Sequence, residues 1–296
     1  MTVRDRRPVR DTRAAVIGAM IIGLAAGTLT ACSVSGEPSV ATRTVAASAG
    51  TSVPSAAASS PGGTTAPTTE VTADEVAKVA RTRVFFGHQS VGMNILEGVP
   101  GVYSALGVAA PPITEGEAAA GAAGGFVTHA FIGRNEKPLL KIDDFSARLR
   151  AGLGTQVDVA MMKFCYVDVY GDRDVDALFA RYRDTMTALE RDLPKVTFIK
   201  VTVPLTTRGS GAQADNATRE RLNALIRREY TGHHLFDLAA VESTAPDGTR
   251  AASPFEGQES FALFDGYAAD EGHLNATGAR RVASAWLKAI AEASPK

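Results

Sequence analysis

Cysteine is nearly absent from this 296-residue chain, which has two, Cys32 and Cys165. Two cysteines cannot build a disulfide framework, and none remains possible if either is otherwise engaged. A basic excess is missing too: 31 Lys and Arg face 32 Asp and Glu, and no cationic patch marks a nucleic-acid surface. No metal-ligand spacing and no glycine-rich phosphate loop occur, so metal and phosphoryl chemistry have no signature, and no cofactor is expected. Also lacking is an unbroken run of about 20 apolar residues, the length a membrane-spanning helix needs. What is there is ordinary globular composition, 45% hydrophobic and 21% charged, enough for one fair-sized core.

The longest apolar stretch, "AAVIGAMIIGLAAGTLTAC", is broken by glycines and follows Arg4, Arg6, Arg7, Arg10 and Arg13. Charge followed by a short apolar region is the order of an export signal. Leu29, Thr30, Ala31 and Cys32 then resemble a bacterial lipobox, in which the chain is cut before the cysteine and the cysteine is acylated. The resemblance implies a lipoprotein signal peptide at 1–31 and a lipid anchor, palmitate included, on Cys32. Several acyl chains on one residue give the stable attachment that one chain cannot. The expected location is the outer face of the cytoplasmic membrane or another layer of the envelope.

Residues 33–70 are almost wholly Ser, Thr, Ala, Pro, Val and Gly, with only Glu37, Arg43 and Glu70 charged. Such a segment cannot bury a core, so 32–70 reads as the lipidated cysteine and a flexible tether reaching about 35 Å. One folded domain is expected at 71–296.

Within it, apolar runs alternate with helical periods. "TADE" at Thr72–Glu75 is a capping box. "RVFFG", "FVTHAFIG" at 126–133, "VDVAMMKF" at 157–164, "VTFIKVTVP" at 196–204 and "HLFDL" read as strands, with an Ala/Gly-rich loop between the first two. "KIDDFSARLRAGL" and "ATRERLNALIRREY" read as helices. Val175, Leu178, Phe179, Tyr182, Met186, Leu189 and Leu193 form the apolar stripe of another, and Val282, Trp286, Ala289 and Ile290 mark a terminal one. The expected fold is α/β: a three-layer, doubly wound, flavodoxin-like sandwich whose mostly parallel sheet has about five strands.

Such sheets carry their chemistry in loops past the carboxyl ends of the strands. The first strand is followed by His88, Gln89 and Ser90, the second by Gly133, Arg134 and Asn135, and the third by Cys165, Tyr166 and Asp168. "DEGHLN", 270–275, precedes the last helix. A serine directly after the first strand, with D-x-x-H before the last helix as Asp270 and His273, makes the domain resemble an SGNH (GDSL-type) hydrolase over most of residues 80–292. "DEGHLNATG" is the most specific match. The resemblance implies nucleophile Ser90, base His273 and orienting acid Asp270, although Asp265 and Glu271 lie close by. It implies an oxyanion hole from the Ser90 and Gly133 N–H groups and a side-chain amide. The family's asparagine position is occupied by Val167, which cannot donate through its side chain, and "GHQS" replaces Gly-Asp-Ser, so the resemblance is to a divergent branch. Asn135 is the expected substitute donor, its alternative being a loop asparagine bonded to its own backbone; Lys163, Tyr166 or a water stand behind it.

The residues also have plainer readings. A serine after a strand is ordinarily a helix cap. His88, two residues from Ser90, is not placed to aim at the same atom, and is expected with Gln89, Lys163 and Tyr166 to line the pocket, or with Gln89 to pin the turn. His129 is expected to be structural, His233 and His234 to occupy a surface turn, Asn275 to cap the last helix, and the long segment 248–270 to wall a pocket.

The resulting expectation is an exported serine esterase or deacylase whose substrate is a small-molecule or glycan ester, such as an O-acetyl group, held to the membrane only by its lipid anchor. The rival is a non-catalytic envelope lipoprotein that keeps the fold to bind glycan or a protein partner, a reading that Val167 favours.

Overall fold

A computed structural model describes residues 70–116, 124–209 and 211–295 of the chain. The expected signal segment, Cys32 and all of the tether except Glu70 lie outside these residues, as does the middle of the Ala/Gly-rich loop. Helix α1 (Ala73–Val79) opens on the capping box: the Thr72 hydroxyl accepts from the Glu75 N–H, and the Glu75 carboxylate accepts from the Thr72 N–H at 2.8 Å.

Six parallel strands follow, β1 (Arg83–His88), β2 (Ile113–Glu115), β3 (Phe126–Phe131), β4 (Val159–Met162), β5 (Thr197–Val201) and β6 (Leu235–Phe236), in the sheet order β2-β3-β1-β4-β5-β6. The sequence reading missed β2, giving five strands instead of six. Three residues behind Pro111 and Pro112 are too few to display a strand period, and β2 is an edge strand defined by its pairing to β3.

Strand residues alternate between two cores. Val84 and Phe86 face helices α1, α2 (Val91–Ala105), α6 (Leu238–Ser243) and α7 (Ala276–Ala293). Phe85 faces the other layer, built from α3 (Pro138–Arg150), α4 (Val175–Asp192) and α5 (Ala212–Glu229). Burial on both faces is why these strands read as continuous apolar runs and not as alternating ones. The fold is thus a three-layer α/β sandwich.

Two features of this topology position the site. The chain leaves β1 toward β3 and later crosses to β4 on the other side, so the loops past β1, β3 and β4 border one crevice at the switch point. The second feature is the contact of α2 with α7. A side chain at Gly98 would meet the Ala279 carbonyl oxygen at 2.4 Å and the Ala283 methyl at 2.9 Å. Bare backbone at Gly98 therefore lets the helix that follows Ser90 touch the helix that follows His273. Beneath them Trp286 lies 5.5 Å from the Phe86 ring and donates to Met161 Sδ at 3.0 Å. At the head of α7, the Asn275 side chain accepts from the Thr277 and Gly278 N–H groups at 3.0 Å each, the cap expected from sequence.

Gly98→Ala should force α2 off α7 and cost about 1–3 kcal/mol, the usual toll of overpacking, read as a lowered urea midpoint at unchanged slope. A midpoint equal to wild type would mean that the helices can separate freely there.

Candidate active site

Ser90 sits at the join of β1 and α2 with φ 46° and ψ −105°, outside the wells available to ordinary residues. Such a conformation costs on the order of 1–3 kcal/mol and persists only where its surroundings impose it. Ser90 occupies the N-cap position of α2, yet its side chain makes no capping bond. Its hydroxyl is instead in hydrogen-bond contact with His273 Nε2. A serine serving as a cap would need neither the strain nor that partner.

The neighbours of Ser90 impose the turn. Gln89 Nε2 donates to the Ile132 carbonyl at 3.1 Å, tying the turn to the end of β3. His88 is fully buried, with Nε2 3.0 Å from His129 Nδ1, so His129 is structural through this pairing. A side chain at Gly92 would stand 2.3 Å from the His88 ring, which shows how closely the first turn of α2 rests on the imidazole. Burial above all, and then the Lys163 charge, lower the His88 pKa to about 3. His88 and Gln89 therefore hold the turn, and His88 does not line a pocket as one sequence reading had it.

His273 is oriented from its other side. Its Nδ1 lies 2.8 and 2.9 Å from the two Asp270 oxygens. Asp270 also accepts from the Gly272 N–H at 2.9 Å and the His273 N–H at 2.8 Å, and these bonds, Gly272 first, hold its carboxyl below the usual range. The nearby acids are engaged otherwise: Asp265 pairs with Arg208 at 2.9 Å, and Glu271 borders a neighbouring cleft. The Tyr166 ring stands edge-on to the His273 ring at 5.9 Å and lines that same cleft. Ser90, His273 and Asp270 thus form one continuous hydrogen-bonded chain.

The expected oxyanion donors fare unequally. The Ser90 N–H has no protein acceptor among the described residues. The Gly133 N–H, by contrast, donates to Asp144 Oδ2 at 2.8 Å, so the expectation that it serves an oxyanion does not hold. Gly133 is required for its backbone, because at φ 53° a side chain there would meet the Lys141 nitrogen at 2.6 Å. Val167 offers nothing, but Asn135 is tied to its loop. Lys141 Nζ donates to Asn135 Oδ1 at 2.9 Å and to Asp168 Oδ2 at 2.5 Å. An ammonium has no acceptor, so the atom of Asn135 facing it is the oxygen and the amide nitrogen is left to donate elsewhere. Asp168 also accepts from the Cys165 N–H at 2.7 Å and the Glu136 N–H at 2.9 Å, joining the loops after β3 and β4.

Sequence reasoning passed over Lys141 and Asp144 and misplaced Lys163. Lys163 is fully buried, with its ammonium on the Phe164 carbonyl at 3.2 Å, and does not line the pocket. A signal for Lys141 existed: it shares a period of four with Phe145 and Leu149 on the buried stripe of α3, where a lysine needs a partner. Of the other expectations, His233 and His234 lie exposed in a turn before β6. The 248–270 segment folds back through bridges such as Ala252 to Phe261, and its Tyr267 borders a cavity between α2 and α7, away from Ser90.

No protein-family model matches the sequence, and no curated protein matches it. Solved structures with a similar backbone include a lipase/acylhydrolase from Enterococcus faecalis, with a TM-score of 0.46, 16% identity, and coverage of 73% of this chain and 97% of that one. An acetyl xylan esterase is similar at a TM-score of 0.43 and 15% identity, covering 70% of this chain and 99% of that one. At these values the likeness is one of backbone path and says nothing about chemistry at the site.

The buried His88 ring makes stability fall in acid. An unfolded histidine takes up its proton near the ordinary value of 6.5, whereas the folded ring resists to about 3. The contribution of the neutral ring is therefore whole above 6.5 and is lost as pH falls through that window. The urea midpoint of wild type should drop across it more steeply than that of His88→Asn. Parallel curves would contradict the assignment.

Proposed function

We propose that this chain is an exported, lipid-anchored serine hydrolase that cleaves esters, O-acetyl groups on glycans among them. The observation that carries this reading is the hydrogen-bonded chain from a strained, non-capping Ser90 through His273 to Asp270. A hydroxyl is a weak nucleophile until a base removes its proton, and a histidine can do so only with its tautomer and orientation set. Asp270 sets both by accepting from Nδ1, which leaves Nε2 free to take the serine proton.

The steps follow from that geometry. Ser90 Oγ attacks the ester carbonyl while its proton passes to His273 Nε2, and Asp270 stabilises the imidazolium. The tetrahedral oxyanion meets the Ser90 N–H and the Asn135 amide nitrogen. Collapse expels the alcohol, which takes the proton from His273, and leaves an acyl group on Ser90. Water, deprotonated by His273, attacks the acyl group, and collapse breaks its bond to Ser90 Oγ, which takes the proton back from His273 as the acid leaves. Every proton transfer uses the same nitrogen, so no cofactor is called for.

The competing reading, an envelope protein that binds glycan or a partner without turnover, is favoured by two observations: Val167 replaces an amide donor, and the Gly133 N–H is already committed to Asp144. Against it stands the strain at Ser90, which binding alone does not require.

Ser90→Ala and His273→Ala should each remove nearly all hydrolysis of p-nitrophenyl acetate, with the double variant little worse, because residues acting as a unit are not additive. Asn135→Ala should lower kcat by about 100- to 1,000-fold with KM and melting temperature nearly unchanged, as for a donor used mainly in the transition state. Loss of activity within about threefold would remove Asn135 from the mechanism. Wild type with no activity that the serine and histidine variants can abolish would favour the binding protein.

A further inference from the structure

Two clefts meet beside the triad. The first, about 470 Å³, begins at Tyr166, whose ring contacts His273, and is lined also by Val167, Glu136, Thr207, Asp215 and Glu271. The second, about 570 Å³, is lined by Leu139, Leu178, Asp172, Asp174, Arg173 and Arg181. Tyr170 borders both and is 42% exposed.

A single exposed aromatic ring needs no explanation. This one is built in. The Arg173 guanidinium lies 5.6 Å over the ring. Behind it, the Gly171 N–H donates to Asp215 Oδ1 at 2.9 Å and the Thr218 hydroxyl donates to the Gly171 carbonyl at 2.9 Å, fastening the Tyr170 loop to α5. The result is an anchored aromatic ring at the junction of two clefts, the first of which begins beside His273.

The charges decide what could lie there. An acyl chain leaving the triad would meet Tyr166 and Val167 but would also lie against Glu136, Asp215 and Glu271, and covering carboxylates with hydrocarbon is costly. A polyanion would meet the same three charges in the first cleft, and in the second Asp172 and Asp174 stand beside Arg173, which lies over Tyr170, and Arg181, which is paired with Asp143 at 2.5 Å. The one cation of the first cleft among the described residues, Arg219, is buried; its Nε and Nη1 donate to the Tyr166 carbonyl, Thr206 and Asn216, and its Nη2 lies 3.9 Å from Asp215. A sugar ring fits both demands, with a C–H face for the aromatic and hydroxyls for the carboxylates and Thr207.

We infer that the two clefts form one groove for a neutral or amino-bearing glycan chain, with Tyr170 the stacking platform for a sugar beyond the one that carries the ester. The inference rests on the hydrolase reading for its account of the ester, but the groove is testable without turnover. A chain bound there presents one acylated residue to Ser90 while its neighbours hold it in register, so chain length becomes a determinant of affinity.

The test is calorimetric binding to Ser90→Ala, the full folded domain without hydrolysis. Xylose and chitosan oligomers from monosaccharide to hexasaccharide are the neutral and amino probes, and oligogalacturonate is the anionic one. Affinity for at least one of the first two series should rise with length, and oligogalacturonate should bind more weakly. Adding Tyr170→Ala should cost about tenfold at the hexasaccharide, and Tyr170→Trp should restore it, the scale of one aromatic stacking contact. Absence of binding by both neutral and amino series, or equal affinity with and without the ring, would overturn the groove. So would tight binding of dodecanoate with none of the sugars, which would give the groove to an acyl chain. Wild type that binds the chains through Tyr170 yet hydrolyses no ester would sink the hydrolase reading and keep the groove.

Discussion

Gly98 and Ala279 meet with no room for a side chain between them, and the site depends on that contact. Ser90 and His273 are 183 residues apart in the chain, and each stands just ahead of one of the two touching helices. Close packing of α2 on α7 therefore sets the distance between Ser90 and His273, and each loop adds its own rigidity. His88 and Gln89 hold the serine turn from below and from the side, while Asp270 and the Asn275 cap hold the histidine. For the proposed hydrolase such pre-positioning is what would make the serine a useful nucleophile, since misplacement by about 1 Å can cost on the order of 100-fold in rate.

The loops after β3 and β4 are governed by a different contact, the ion pair of Lys141 with Asp168, in which both side chains are fully buried. Burying two charges gains little stability, because desolvation offsets their attraction, whereas removing one partner typically costs about 3–5 kcal/mol. Its value here is placement. One ammonium holds the oxygen of Asn135, and one carboxylate holds the Cys165 and Glu136 amides, so the loop that carries Asn135 is tied to the loop that carries Val167. Glu136 itself lies at φ 66°, a second strained residue at the same crevice.

Much of this was legible in the chain. Buried parallel strands announce themselves as apolar runs, and the serine after the first strand with Asp270 and His273 before the last helix was found by motif and topology alone. Legibility failed where the determining contact is tertiary. β2 is a strand by virtue of its pairing with β3, Gly133 loses its N–H to an aspartate eleven residues away, and Lys163, expected to line the pocket, is sealed just past the end of β4. Lys141 was visible in principle as a cation on an apolar stripe, but its partner Asp168 lies 27 residues on, and no local pattern links them. The sequence set His88 apart from the Ser90 hydroxyl, and the structure adds what the sequence could not supply: its ring is sealed beneath α2 and paired with His129.

All of these arrangements matter to chemistry only if Ser90 is activated as a nucleophile. Treatment of the folded protein with a fluorophosphonate, followed by peptide mass mapping, tests that most directly. The account predicts one stoichiometric phosphonyl adduct, located on Ser90, that is lost on unfolding and strongly slowed in His273→Ala. A folded protein that stays unlabelled, or one labelled at another serine, would contradict it.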